Sequence, residues 1–230
     1  MNHWLARTEL LIGKQAVAQL QQAKVAVIGI GGVGGAAAEA LVRAGVGNLL
    51  LIDHDTVDVT NINRQLFTTA NNIGCSKCEA GKARLLSINP NCNISVSEAF
   101  YAADNREPLL NFDPDFVIDA IDTVSAKLDL VVTCQKQNIP LISCLGTGNR
   151  LDPTQFVIGD IADTAKGAFR AVGYVNFIGG DAHSLPPVML RDRGFQEHIA
   201  ALRSVAAERR FPAHLLCRDD RRSHRAGRER

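Results

Sequence analysis

Residues 24–65 read KVAVIGIGGVGGAAAEALVRAGVGNLLLIDHDTVDVTNINRQ. The run 24–30 is apolar and β-branched, the pattern of a strand buried on both faces. It ends in Gly29-Ile30-Gly31-Gly32-Val33-Gly34, which fits G-x-G-x-x-G. An Ala-rich stretch follows and is expected to be helical, with Ala36, Ala37, Ala40, Leu41 and Ala44 spaced for one packed face. Gly45 and Gly47 are good stops for it. A second apolar run, 48–52, delivers Asp53 at its carboxyl end. Strand, glycine turn, helix and acid-tipped strand make a nucleotide-binding βαβ unit.

Each part has a physical reason. Gly29 and Gly31 let the backbone turn tightly and approach phosphate oxygens with no Cβ in the way. Gly34 allows close packing of helix on strand, and the helix start offers free N–H groups and a positive dipole end. Asp53 lies about 20 residues past the glycines, where a ribose hydroxyl is expected. A glycine-rich loop without a ligand also fits the bare motif; the flanking strand, helix and acid favour a nucleotide.

After Asp53 the chain runs His54-Asp55-Thr56-Val57-Asp58, then Asn61-Ile62-Asn63-Arg64-Gln65. That sets polar groups and one fixed cation beside the phosphate turn. A triphosphate, with about four negative charges, needs cations that a nicotinamide dinucleotide does not. The G-x-G-G-x-G turn, the D-x-D of Asp53 and Asp55, and the N-x-x-R-Q of Asn61, Arg64 and Gln65 together resemble one family. It is the adenylating enzymes built like ubiquitin-activating enzyme, which include bacterial sulfur-carrier-protein adenylyltransferases. The resemblance implies ATP binding by Gly29, Gly31, Gly32, Gly34, Asp53, Asp55, Asn61, Arg64 and Gln65.

The same resemblance extends to further positions. Lys77 follows Gly74 and opens a helix, where the family's triphosphate-binding Lys stands. A strand over 115–122 ends in D-x-x-D, placing Asp122 where a carboxylate holds magnesium on ATP; Asp122 also suits the cap of a helix over 124–136. Asp119 reads as structural. Arg7, in the arm before a helix over 14–22 with Val17, Ala18 and Leu20 inward, matches an Arg that enters a partner subunit's ATP site, which implies a homodimer. The implied catalytic groups are thus Arg7, Arg64, Lys77 and Asp122, with Mg2+ on Asp122. Remaining elements are a helix over 79–88, a strand over 94–96, a short helix over 105–110 and a fifth parallel strand over 139–144. The whole reads as a Rossmann-like, mostly parallel α/β sheet with helices on both faces.

Bulk properties set limits. With 230 residues, 46% of them hydrophobic, the chain makes one sizeable domain with room for a small appendage. A net charge of +1 gives no global electrostatic case for nucleic acid, and no run is long enough to cross a membrane. There is no secretory pattern at the start, and six cysteines beside a nucleotide site fit reduced thiols in the cytoplasm. Cys75 and Cys78 form C-x-x-C, but no second pair completes a zinc site, so structural thiols are expected.

From Gly146 the text GTGNRLDPTQFVIGDIADT resembles one branch of the family, the tRNA threonylcarbamoyladenosine dehydratases. The opening RTELLIG and VIDAIDTVSAK around Asp122 resemble that branch too. The likeness stops near Lys166, which divides a 1–166 adenylating domain from a divergent 167–230. The second part holds 12 of the 18 Arg and none of the 7 Lys. It reads either as an irregular, partly disordered basic appendage near RNA phosphates or, preferred, as text in a shifted frame. The activity implied is ATP-dependent dehydration of threonylcarbamoyladenosine in tRNA. The alternatives are adenylation of a ubiquitin-like sulfur-carrier partner ending in Gly-Gly, and an NAD-binding Rossmann protein.

Overall fold

The computed structural model describes residues 3–144. The expectations for the stretch from Gly146 and for 167–230 lie outside those residues. Strands β1 (Lys24–Ile28), β2 (Asn48–Ile52), β3 (Asn93–Ser97), β4 (Phe116–Asp119) and β5 (Leu141–Ser143) form one sheet in the order β3-β2-β1-β4-β5. Every pairing is parallel. The helices are α1 (Ala6–Ile12), α2 (Lys14–Gln22), α3 (Gly32–Ala44), α4 (Lys77–Ile88), α5 (Glu107–Phe112) and α6 (Val124–Lys136). This is the expected Rossmann-like architecture. None of the described helices is long and apolar enough to cross a membrane.

Successive strand residues point to opposite faces, and both faces are covered. Val25, Val27, Leu49 and Leu51 pack with Ala38, Val42 and Leu85 of α3 and α4. Ala26, Ile28, Leu50 and Ile52 pack with Leu109, Ala126 and Leu130 of α5 and α6. Each buried aliphatic side chain contributes about 1.5–3 kcal/mol, which explains why the central strands are apolar without alternation. The sheet reverses its winding between β1 and β4, so their carboxyl ends flank a crevice where ligands bind in such folds.

The helix face is rotated from the expected one, though Leu41 still packs on the core and Ala37 and Ala44 are half-buried. The buried residues of α3 are Gly34, Gly35, Ala38 and Val42, while Ala36 and Ala40 are exposed. Backbone contact decides this. A Cβ on Gly34 would stand 1.8 Å from the carbonyl oxygen of Gly29, so α3 turns its glycines to the sheet. Ala38 and Val42 then follow at i+4 spacing. Gly45, at φ 105°, ends α3 as expected. In α2, Val17 is buried and Leu20 packs on the core, but Ala18 is exposed.

Other boundaries also move. A separate helix, α1, precedes α2, and Gly13 at φ 86° breaks the two apart. β4 ends at Asp119, three residues short of Asp122. Its partner β1 stops at Ile28 because Gly29, at φ 89°, turns the chain out of the ladder. Helix α5 starts at Glu107 with Pro108 in its first turn, where a missing N–H is harmless.

Gly34→Ala is expected to cost about 3 kcal/mol, because the new methyl meets backbone and cannot repack. Gly31→Ala is expected to be near neutral, since its nearest contact would be Gln65 Nε2 at 3.9 Å. Urea midpoints compare the two directly; equal midpoints would contradict the packing role of Gly34.

Candidate functional site

The phosphate-type turn is held from three sides. Gly29 N–H donates to Ile52 O at 2.8 Å, and Ala120 N–H donates to Ile28 O at 2.8 Å. A Cβ on Gly29 would lie 2.6 Å from Ala120 O, so the β4 exit presses directly on the turn. The first helical bond of α3 runs from Gly35 N to Gly31 O at 2.9 Å. The N–H groups of Gly32, Val33 and Gly34 precede it and have no intrahelical acceptor, so α3 presents donors and a positive end to the crevice.

Asp53 and Asp55 organise the opposite wall. Asp53 Oδ2 accepts from Ile30 N at 2.6 Å and its Oδ1 accepts from Asp55 N at 2.9 Å. One carboxylate therefore ties the glycine turn to the D-x-D loop, with lone pairs left for hydroxyl donors. Lys77 Nζ donates to Asp55 Oδ2 at 2.5 Å, and Lys77 N donates to Asp55 O at 3.0 Å. Lys77 is buried at the start of α4, which Ser76 caps by accepting from Glu79 N. A free helix lysine would not be so placed; the ion pair with Asp55 holds it at the crevice.

The chain from Asp53 to Ser76 has no long element, and loops of that length inside a compact domain are usually functional. Two short 3-10 turns, Val59–Asn61 and Ala70–Asn72, brace it. Asp58 Oδ1 accepts from Thr60 N at 2.8 Å and Thr60 Oγ at 2.6 Å, which hold its carboxyl below the usual range. Asn61 Oδ1 accepts from Asp58 N at 3.0 Å, so its side chain serves the loop itself. Buried Phe67 pins the loop to the body. Its ring fills the space left by Gly35 and Gly81, where added Cβ atoms would approach to 3.4 and 2.9 Å. The sequence reading passed over Phe67; two glycines inside helices were the available signal.

This anchoring brings Arg64 and Gln65 to the glycine turn. A Cβ on Gly32 would meet Arg64 O at 3.2 Å. The Arg64 guanidinium donates to Thr60 O at 2.8 Å and Asn63 Oδ1 at 2.9 Å and is otherwise exposed. Gln65 is only 7% exposed, and among the described residues its Oε1 has no hydrogen-bond partner. An orphaned buried amide beside Gly31 is what a site for a polar ligand leaves.

Two expected residues stand apart. Asp122 is exposed beyond β4 and, among the described residues, is reached only by Thr123 Oγ at 3.5 Å. It is not the helix cap: Thr123 takes that position, without a side-chain cap bond. Arg7 is exposed on α1, and Leu5 packs on Gly45 at the far end of α3. The 13 residues of α3 span about 20 Å, so Arg7 lies well away from its own glycine turn.

Among the described residues, Asp53, His54 and Asp55 form the one group of three metal-type ligands, with ligand atoms within 4.8 Å of one another. Those carboxylates already accept from Ile30 N, Asp55 N and Lys77 Nζ, and Asp122 is not a member. The C-x-x-C cysteines part company. Cys75 is exposed, while Cys78 points at the carbonyls of Asp53, Ser97 and Leu51 at 3.4, 3.6 and 3.7 Å. Burial, and then the charge of Asp53, push the Cys78 thiol up to about 12. At pH 8 a thiol reagent is expected to label Cys75 in the native protein and spare Cys78, as read by peptide mass spectrometry. Equal labelling would mean that the thiol is not held against those carbonyls.

The ThiF family model matches residues 5–171. The tRNA threonylcarbamoyladenosine dehydratase of Bacillus subtilis (strain 168) is 46% identical over 164 residues, 71% of this chain and 65% of that protein. The protein of the same name in Escherichia coli (strain K12) is 41% identical, over 71% and 61%. The crystal structure of E. coli tRNA N6-threonylcarbamoyladenosine dehydratase in complex with ATP superposes with a TM-score of 0.67 at 41% identity, over 70% of this chain and 66% of that one. The chain thus spans less than two thirds of the length of the two curated relatives, 65% and 61%. With a parallel sheet, a glycine turn at its switch point and this match over most of its length, the chain belongs to the ThiF family.

Proposed function

We propose that this chain uses ATP to adenylate a carboxylate, and that the carboxylate belongs to threonylcarbamoyladenosine in tRNA, which it cyclises with net loss of water. The observation that carries the chemistry is one crevice lined by the glycine turn, Asp53, Arg64, Gln65 and buried Lys77, which pairs with exposed Asp55. Support for the acceptor is the 46% and 41% identity to the two bacterial dehydratases. On this reading the protein works in the cytoplasm, where ATP and tRNA meet.

The geometry supports the following roles. The N–H groups at the start of α3 take phosphate oxygens, and Asp53 accepts from ribose hydroxyls. Lys77 neutralises phosphate charge from a fixed place, and Arg64 swings from its loop carbonyl onto a phosphate. The substrate carboxylate oxygen then bonds to the α-phosphorus, and the bond to the β-phosphate bridging oxygen breaks. Pyrophosphate leaves and a mixed anhydride remains. A nucleophile within the substrate's own threonylcarbamoyl group attacks the acyl carbon, and AMP departs with one carboxylate oxygen. No protein nucleophile is needed, so catalysis is charge stabilisation and positioning.

Asp122 fits magnesium, since it is a hard oxygen donor at the edge of the crevice with no strong partner among the described residues. When bound, the ion supplies positive charge to the departing pyrophosphate. Asp122→Ala is therefore expected to lower pyrophosphate release by about 100-fold or more and to keep the melting temperature. Wild-type turnover in that variant would remove Asp122 from the reaction. The same assay, run with modified tRNA or with a small protein ending in Gly-Gly, separates the dehydratase reading from the sulfur-carrier one. Absence of pyrophosphate release with either acceptor, together with NAD binding, would favour the nicotinamide alternative.

The far position of Arg7 supports a shared site. Leu10 and Leu11, on the same helix, are 81% and 85% exposed, apolar surface suited to a second copy. On this reading Arg7 of one protomer completes the ATP site of its partner. Arg7→Ala and Asp122→Ala proteins are each expected to be inactive, while an equal mixture regains about a quarter of wild-type activity through mixed dimers. No recovery at any mixing ratio, in a protein that dimerises, would rule out the shared site.

A further inference from the structure

Lys127, in the first turns of α6, is 1% exposed, and Asp119, at the end of β4, is 0% exposed. Charges this deep are costly unless paired and fully hydrogen-bonded. Here they are both. Lys127 Nζ reaches Asp119 Oδ1 at 2.8 Å, Cys144 O at 3.0 Å and Ser143 Oγ at 3.5 Å, using all three of its donors. Asp119 Oδ1 also accepts from Ile121 N at 3.1 Å, and its Oδ2 accepts from Ser143 Oγ at 2.5 Å. Every bond lands where the chain leaves the sheet: the ends of β4 and β5, the start of α6, and the crossover between them.

An apolar pair of similar volume often fills such a space with equal or greater stability. What it lacks is a directed hold on the Ile121 N–H. Among the described residues the next one, Asp122, has no anchor of its own beyond Thr123 Oγ at 3.5 Å, and the α6 cap makes no side-chain bond. On its other side the crossover presses on the glycine turn through Ala120 O, 2.6 Å from the place of a Gly29 Cβ. The position of Asp122 is thus inherited from the residues on either side of it.

We propose that the Asp119–Lys127–Ser143 network sets the position of Asp122, with Lys127 acting as a positioning residue through the crossover 120–123. This rests on the metal-holding role of Asp122 in the adenylation reading.

Lys127→Met alone strands a buried carboxylate, so the main probe in the full chain is Asp119→Leu with Lys127→Met. That variant is expected to melt near the wild-type temperature and to bind AMP without metal as the wild type does. Its Ile121, Asp122 and Thr123 amides are expected to exchange faster by roughly tenfold or more, with those of residues 32–35 unchanged. Turnover in pyrophosphate release is expected to fall roughly 10- to 100-fold with a raised magnesium requirement. Asp119→Asn with Lys127→Met keeps an acceptor for Ile121 N and is expected to recover part of both losses. Ser143→Ala, which leaves the ion pair whole, shifts both readouts the same way by less, and decides the matter if the Leu/Met protein does not fold. Unchanged exchange at 121–123 in a folded variant overturns the proposal, as does faster exchange with wild-type magnesium dependence. Wild-type protein that releases no pyrophosphate defeats the adenylation reading, and with it the role given to Asp122; the amide exchange rates then still report whether the network holds the crossover.

Discussion

The rest of the structure depends on a backbone contact without side chains. At the carboxyl end of β1 the carbonyl of Gly29 lies where a Cβ of Gly34 would be, 1.8 Å away, and Gly29 itself presses on Ala120. Strand, helix and the neighbouring β4 exit meet there at distances that only glycine permits. The contact rotates α3, and so selects Ala38 and Val42 for the core. It also ends β1, and through lost pairing it ends β4 at Asp119. The crevice at the switch point is what remains in front of these three chain ends.

The second wall of that crevice is polar, and its parts hold one another. Asp53 accepts from the glycine turn and from the Asp55 amide, and Asp55 holds Lys77 at 2.5 Å. The pairing gives the buried Lys77 ammonium a partner and fixes where it points. Phe67 supplies the apolar hold that lets a long polar loop stay on the body, with its ring seated between two helices. The loop is thus fixed by one ring, the Asp55–Lys77 pair and short 3-10 turns rather than by long regular elements.

A third feature is the placement of charge at the two ends of α3. Its start faces the crevice and its far end receives the arm that carries Arg7. A single protomer therefore keeps the crevice cations Lys77 and Arg64 near the turn and holds Arg7 out to solvent beside exposed leucines. The two-fold reading turns that separation into a shared site. At the opposite edge, on the reading proposed above, the buried Asp119–Lys127 network sets where exposed Asp122 stands.

The strand cores, the glycine turn, Asp53, Lys77 and the helix over 124–136 were legible in the sequence. Their signals are local: apolar runs, glycine spacing, and an acid or lysine beside a turn residue. The structure ran against sequence in places where a distant contact overrode local pattern. The Ala-rich face of α3 looked apolar enough to be buried; Leu41 does pack on the core and Ala37 and Ala44 are half-buried, but the Gly29–Gly34 contact leaves Ala36 and Ala40 outward. Asp122 looked like a strand tip and a helix cap, and is neither, because β1 offers no partner past Ile28 and Thr123 takes the cap. Phe67 and the Asp119–Lys127 pair carry no local mark of their roles, since their partners come from other elements. Periodicity and turn chemistry belong to neighbours in the chain, and so the sequence alone determined the elements and the residues at their carboxyl ends. Helix rotation, loop anchoring and the buried charges were decided only when separate elements came within contact distance.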